Sequence, residues 1–335
     1  MWVKGRIPCS SAELNIDIVL QCGQSFRWKR DLINKSWQGV FSNKLWILKQ
    51  GSSEISYEVL SSDAECHQTK VEKEQICNEE LVDYFQFNVP LVPLYDAWSQ
   101  ADEKFKKLAL RYQGVRMLRQ DPVENVFSFI CSSNNNIQRI SSMVEHLCSS
   151  YGKQIAVYNG QKVYSFPELS SLMDESVERN LRTLGFGYRA KYIQKAAEII
   201  EQRGGRSWLV NLRNVPYVEA KASLVSIPGI GEKVADCICL MSLDKTCAIP
   251  VDTHVFQIAK TYLPALAEKK SVTHRIYSEI SIFFQELYGP YAGWAHTVLF
   301  SADLRHLKDP PEKAPKRGKN QQNNTVQKRK KNTRI

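Results

Sequence analysis

Lys233 and Asp252 are the two side chains whose type and setting suit covalent chemistry. Lys233 falls within "SIPGIGEKVADCICL" (Ser226–Leu240), in the first turn of an apolar helix-like run that follows two glycines two apart. A lysine there serves one of two ends. Its cation holds a phosphate, or its neutral amine attacks an electrophile. The second use needs a pKa several units under the reference value of about 10.4. A helix dipole contributes typically 0.3–1 kcal/mol, less than one unit, so burial, worth up to about 3–5 units, must supply the rest. Val234, Ala235, Cys237 and Ile238 are apolar company suited to that burial. Asp252, in "AIPVDTHVFQIAK", precedes a helical run. It reads as an N-cap, and also as a carboxylate that faces the lysine and stabilises a developing cation.

The elements around Lys233 read as helix, tight turn, helix. Pro228 ends the first helix, and Gly229 and Gly231 permit positive φ and close approach of another backbone. Amides at the start of the second helix form an anion site. A glycine-stabilised helical hairpin is the simpler reading. The order apolar-Pro-Gly-apolar-Gly-x-x-x-Ala, from Ile227 to Ala235, resembles the helix-hairpin-helix element that grips DNA phosphates without reading sequence.

Two textures frame this hairpin. Up to about residue 60 the chain reads as strands: "LNIDIVL" alternates, "QSFRWKR" is aromatic, "SWQGVFSNKLWILKQ" is two runs around Ser42-Asn43-Lys44, and "EISYEVL" has a period of two. After about Glu80 apolar residues recur at three- and four-residue spacing, with a helix break at the asparagine run 134–136 and a short hairpin at Asn159-Gly160. The expected class is α+β: an N-terminal antiparallel twisted sheet domain (1–118) followed by a larger all-helical domain (119–305) containing the helix-hairpin-helix (about 218–243).

Charge is concentrated at one end. Residues 306–335 hold ten Lys/Arg against Asp309 and Glu312, which accounts for most of the net charge of +10. This segment is too polar to fold and is expected to be a disordered basic tail. Its clusters "KAPKRGK" and "QKRKKN" suit nuclear import or nucleic acid, and a solubilising tail fits the composition equally well. No apolar run is long enough for a membrane span and the first ten residues lack a secretory core, so no membrane partner is expected. The nine cysteines are scattered and read as reduced thiols of the cytosol or nucleus, without zinc or iron–sulfur spacing; no metal and no cofactor are expected.

Hairpin, lysine and the later Val-Asp-x-His resemble the helix-hairpin-helix DNA glycosylase superfamily in its bifunctional branch. With "GQSFRW" (Gly23–Trp28), "SSNNNIQRI" (Ser132–Ile140), "LGFGYRAKY" (Leu184–Tyr192) and "GPYAGWAHTVLFSADL" (Gly289–Leu304), the chain from Ile7 to Leu304 is similar to the eukaryotic 8-oxoguanine DNA glycosylase/AP lyase family. That resemblance implies roles. Lys233 attacks C1′ of the damaged nucleotide, expels the base and forms a Schiff base, while Asp252 stabilises the oxocarbenium-like transition state. The flipped base is held by Cys237 and Phe300, by Met241, and by the Gly23 carbonyl, which accepts from the N7–H that 8-oxoguanine has and guanine lacks. Asn134, Arg139 and Arg189 hold the abandoned cytosine and Tyr188 wedges the emptied site. Gly229, Gly231, Val234 and His254 contact DNA. The implied partner is double-stranded damaged DNA, bound by a monomer in the nucleus.

One residue departs from the family's pattern. His296 stands where the family usually has glutamine. A neutral imidazole has one donor and one acceptor on opposite sides of its ring and cannot copy an amide's bidentate pattern. With an ordinary pKa of about 6.5, it is expected to make lesion binding pH-dependent between roughly pH 5.5 and 7.5. Three functions therefore stay open from sequence: an oxidised-purine glycosylase/lyase acting opposite cytosine, a related glycosylase for another base, and a non-catalytic DNA-binding module.

Overall fold

The computed structural model describes residues 2–60, 69–304 and 307. The N-terminal part is a five-stranded antiparallel sheet of β1 (Trp2–Pro8), β2 (Lys29–Asp31), β3 (Ser36–Phe41), β4 (Lys44–Gln50) and β5 (Glu54–Leu60), in the order β1-β5-β4-β3-β2. The β3–β4 hairpin turns at Ser42 and Asn43, with φ of 49° and 54°, so Phe41 pairs Lys44 as the alternation predicts. The run "LNIDIVL" is a correction. It forms a one-turn helix, α1 (Ile16–Val19), because buried Ile16, Val19 and Leu20 fit a three-and-four spacing that the alternation of Leu14, Ile16, Ile18 and Leu20 masks.

The predominantly helical part begins at α2 (Lys70–Tyr84), about ten residues earlier than expected, started by a capping box between Thr69 and Glu72. Then come α3 (Leu91–Ala101), α4 (Glu103–Ala109), α5 (Pro122–Ser132) and α6 (Ile137–Tyr151), the last two divided at the asparagine run. The hairpin β6 (Gln154–Tyr158) and β7 (Gln161–Tyr164) interrupts them at Asn159-Gly160. After it lie α7 (Glu175–Thr183), α8 (Arg189–Gln202), α9 (Gly205–Asn211), α10 (Tyr217–Val225), α11 (Glu232–Ser242), α12 (Thr253–Lys260), α13 (His274–Tyr288) and α14 (Ala292–Asp303). The class is the expected α+β, an antiparallel sheet followed by a helical body. Among the described residues no helix is long and apolar enough to cross a membrane. The basic tail, apart from Leu307, lies outside the described residues.

Two apolar cores meet at the linker after α4. Trp46, Leu48, Tyr57 and Phe85 form the sheet's core with Leu118, while Leu91, Tyr95, Trp98 and Phe105 of α3 and α4 join the core of the helical body. Gln24 locks the two together. Its side chain donates to the Arg116 carbonyl at 3.0 Å and accepts from the Leu118 amide at 2.9 Å. Gln120 in turn donates to the Gln24 carbonyl at 2.8 Å, and its own amide donates to the Met241 carbonyl at 2.8 Å. The loop carrying Gly23 is thereby held against α11.

Candidate active site

Lys233 is the second residue of α11, and Gly231 occupies its N-cap position with no side chain over the first amides. Gly229 has φ +89°, and a Cβ there would lie 2.6 Å from Cβ of Tyr192, so this position needs glycine on both counts. Gly231 does not use a positive φ as expected. Its φ is −89° and a side chain would meet open space, which leaves the start of α11 uncovered. That open helix start is a ready anion site.

The Lys233 side chain is half-buried rather than enclosed, with Nζ 5.3 Å from the centroid of the Phe129 ring on α5. Cys237, one turn on, is buried; burial pushes its thiol up to about 11, and the neighbouring Lys233 opposes that rise. Asp252 caps α12, accepting from the Val255 amide at 2.9 Å. Lys233 and Asp252 open onto one cleft of about 1090 Å³. Gly23, Asn134, Gly231, Val234, His254 and Phe300 line the same cleft. The loops at 23–26, 133–136 and 251–252 and the starts of α6, α11 and α12 converge on this single opening. His254 is held by Asp303 at 2.7 Å and stands edge-on to Phe300, ring centroids 5.9 Å apart.

Cys237, Met241 and His296 lie buried and do not form part of the cleft lining. His296 is 4% exposed, sits one helical turn before Phe300 on α14, and has no hydrogen-bond partner at either ring nitrogen. Burial pushes its pKa down to about 4, with the Asp252 charge opposing. The expected titration between pH 5.5 and 7.5 is therefore corrected: the imidazole is neutral across that range.

The residues implied in reading the opposite base form a second group. Asn134 adopts φ +47°. Arg189, 4% exposed, donates to the carbonyls of Ser133 and of Asn134, the latter at 3.1 Å, and its guanidinium carbon is 4.6 Å from the Tyr188 ring centroid. The Tyr188 hydroxyl donates to Ser133 O at 3.1 Å, and exposed Arg139 donates to Gly185 O at 3.2 Å. Only Asn134 of these four reaches the cleft lining. Sequence reasoning missed Phe129 and Tyr277, which also line the cleft, because both sit at ordinary apolar positions of long helices. Among the described residues no group of three or more His, Cys, Asp or Glu could hold a metal ion.

Comparison with known proteins places this geometry in a lineage. Residues 6–126 match the family described as 8-oxoguanine DNA glycosylase, N-terminal domain, and residues 127–280 match the HhH-GPD superfamily base excision DNA repair protein. The chain is 41% identical to the N-glycosylase/DNA lyase OGG1 of Arabidopsis thaliana, over 89% of this chain and 80% of that protein. The chain belongs to the 8-oxoguanine N-glycosylase/DNA lyase family. The N-glycosylase/DNA lyase of Saccharomyces cerevisiae is 34% identical over 90% of this chain and 86% of its own length. A solved structure of the Clostridium acetobutylicum 8-oxoguanine glycosylase/lyase, in complex with double-stranded DNA containing cytosine opposite 8-oxoguanine, superposes with a TM-score of 0.72 at 26% identity, covering 86% of this chain and 91% of that one. The family likeness thus spans both the N-terminal part, with the loop that carries Gly23, and the helical body that carries Lys233.

Proposed function

We propose that the protein excises 8-oxoguanine from duplex DNA and then cleaves the strand, with Lys233 as nucleophile and Asp252 as the stabilising carboxylate. The observation that carries the reading is the convergence of Lys233 and Asp252 on one cleft, beside the open start of α11, in a member of this family. The amides of α11 and His254 hold phosphates of the damaged strand, and the extruded base enters the cleft against Phe300, with Cys237 brought to its other face only once the base is bound. The deprotonated amine of Lys233 attacks C1′. The C1′–N9 bond breaks with its electron pair on the base, which leaves after taking up a proton. Asp252, negative and fixed by its cap bond, stabilises the positive charge that develops on the sugar. Loss of the amine proton and ring opening give a Schiff base; removal of a C2′ proton then breaks the C3′–O bond and expels the 3′ phosphate.

Discrimination rests on the Gly23 carbonyl, which accepts from N7–H of the lesion and is left unpaired by guanine. Arg139 and Arg189 read cytosine opposite the lesion, and the basic tail directs the protein to the nucleus. The test is single-turnover excision from duplexes carrying 8-oxoguanine, an alkylated purine or an oxidised pyrimidine opposite cytosine, by the wild type and Asp252→Asn. Excision centred on 8-oxoguanine and strongly slowed in the variant supports the reading. Preference for another lesion, or an unaffected variant, contradicts it.

A further inference from the structure

Asp236 lies one turn after Lys233 on α11 and is fully buried. Its carboxylate takes three donors from two other helices: Tyr217 at 2.6 Å and Lys221 at 2.8 Å from α10, and Tyr277 at 2.5 Å from α13. Burial raises the Asp236 pKa, while the Lys221 charge and the hydroxyl donors oppose the rise. Tyr217 and Lys221 join α10 to α11, and the Lys221 ammonium also lies 4.8 Å from the centroid of the Tyr277 ring, but neither reaches Val251. Tyr277 reaches further. Its hydroxyl also accepts from the Val251 amide at 3.2 Å, and its side chain lines the cleft beside Val251 and Asp252. Val251 is 4% exposed, so its amide has little access to water.

We propose that Tyr277 is a positioning residue for Asp252, tying the backbone just before that carboxylate to Asp236 on the helix that carries Lys233. The proposal rests on the roles given above to Lys233 and Asp252. Asp252 is gripped on its C-terminal side by its own cap bond to Val255. Tyr277 supplies the grip on its N-terminal side. Without the hydroxyl, the Val251 amide is a buried donor with no acceptor, and the segment is free to shift to find one. A shift of an ångström between reacting groups costs rate and leaves affinity largely intact.

The test is a double-mutant cycle on the full chain. Single-turnover excision at saturating enzyme, and lesion affinity, are measured on 8-oxoguanine:cytosine duplex for wild type, Tyr277→Phe, Asp252→Asn and the double variant, with Tyr217→Phe as control. Tyr277→Phe should slow excision by about tenfold to a hundredfold with affinity nearly unchanged. Tyr217→Phe also removes a donor from Asp236 but leaves Val251 held, so its rate should stay close to wild type. In the Asp252→Asn background Tyr277→Phe should add little. A wild-type rate for Tyr277→Phe, equal losses in the two tyrosine variants, or a full further loss in the Asp252→Asn background overturns the proposal. A wild-type rate for Asp252→Asn overturns the reading of Asp252 and the proposal with it, whereas a slow Asp252→Asn beside a wild-type Tyr277→Phe overturns the proposal alone. If Phe at 277 prevents folding, the same cycle runs with 4-aminophenylalanine in place of Tyr277, whose para-amine still donates to Asp236 but is a poor acceptor for the Val251 amide, and the same outcomes decide.

Discussion

Acid should weaken this protein through His296 in a way that His296→Gln abolishes. The imidazole is buried with both nitrogens unpartnered, and its pKa falls from 6.5 to about 4. In the unfolded chain it protonates near 6.5, so below that pH the unfolded state binds a proton that the folded state refuses. Stability is therefore lost as pH falls from about 6.5, and the loss levels off below about 4. At 1.36 kcal/mol per unit, the full effect is about 3 kcal/mol, of which about 2 kcal/mol is already present at pH 5. Denaturant unfolding of both proteins at pH 7.5, 6, 5 and 4 reads this directly, because every other titrating group is common to both. The difference in unfolding free energy should swing toward His296→Gln by about 2 kcal/mol between pH 7.5 and 5. Parallel pH profiles would refute the burial argument. The same reasoning makes the histidine's grip on a lesion flat between pH 5.5 and 7.5, and a step in affinity there that His296→Gln removes would contradict it.

Excision should be fastest opposite cytosine and much slower opposite adenine, and equal rates opposite all four bases would remove the reading role of Arg139 and Arg189. Gly229→Ala combines strain at φ +89° with a Cβ only 2.6 Å from Tyr192; it should cost about 1–3 kcal/mol of unfolding free energy, whereas Gly231→Ala, facing open space, should be much milder. Truncation after Leu307 keeps the bond from the Tyr112 hydroxyl to the Leu307 carbonyl, 3.2 Å long. It should flatten the log–log salt dependence of DNA binding by about 0.9 for each lost phosphate contact and leave single-turnover excision unchanged; an unaltered slope would make the tail a solubilising segment only.

Much of this was legible in sequence where local chemistry decides the outcome. The β3–β4 hairpin, the break at the asparagine run and the helix-hairpin-helix follow from turn residues and spacing within a few positions. Asp252 as an N-cap was legible for the same reason. The remainder depends on partners far along the chain. Nothing local marks Arg189 as buried, since the carbonyls that hold it belong to Ser133 and Asn134. The single turn at Ile16–Val19 looked like a strand because Leu14, Ile16, Ile18 and Leu20 alternate, while Ile16, Val19 and Leu20 equally fit one face of a helix. Tyr277 reads as one more apolar position of α13 until its hydroxyl is seen between Asp236 and Val251. His296 was legible as a departure, but its neutral state required knowing that no partner reaches it.

The central claim is that Lys233 forms a covalent bond with the sugar of the damaged nucleotide, and borohydride trapping tests it most directly. Incubated with 8-oxoguanine:cytosine duplex and borohydride, the full-length protein should become cross-linked to the lesion strand, and proteolysis with mass spectrometry should find the adduct on the peptide containing Lys233. Lys233→Gln should bind the same duplex without trapping or excising. Undiminished trapping in Lys233→Gln, or an adduct mapped to another amine, would contradict the account.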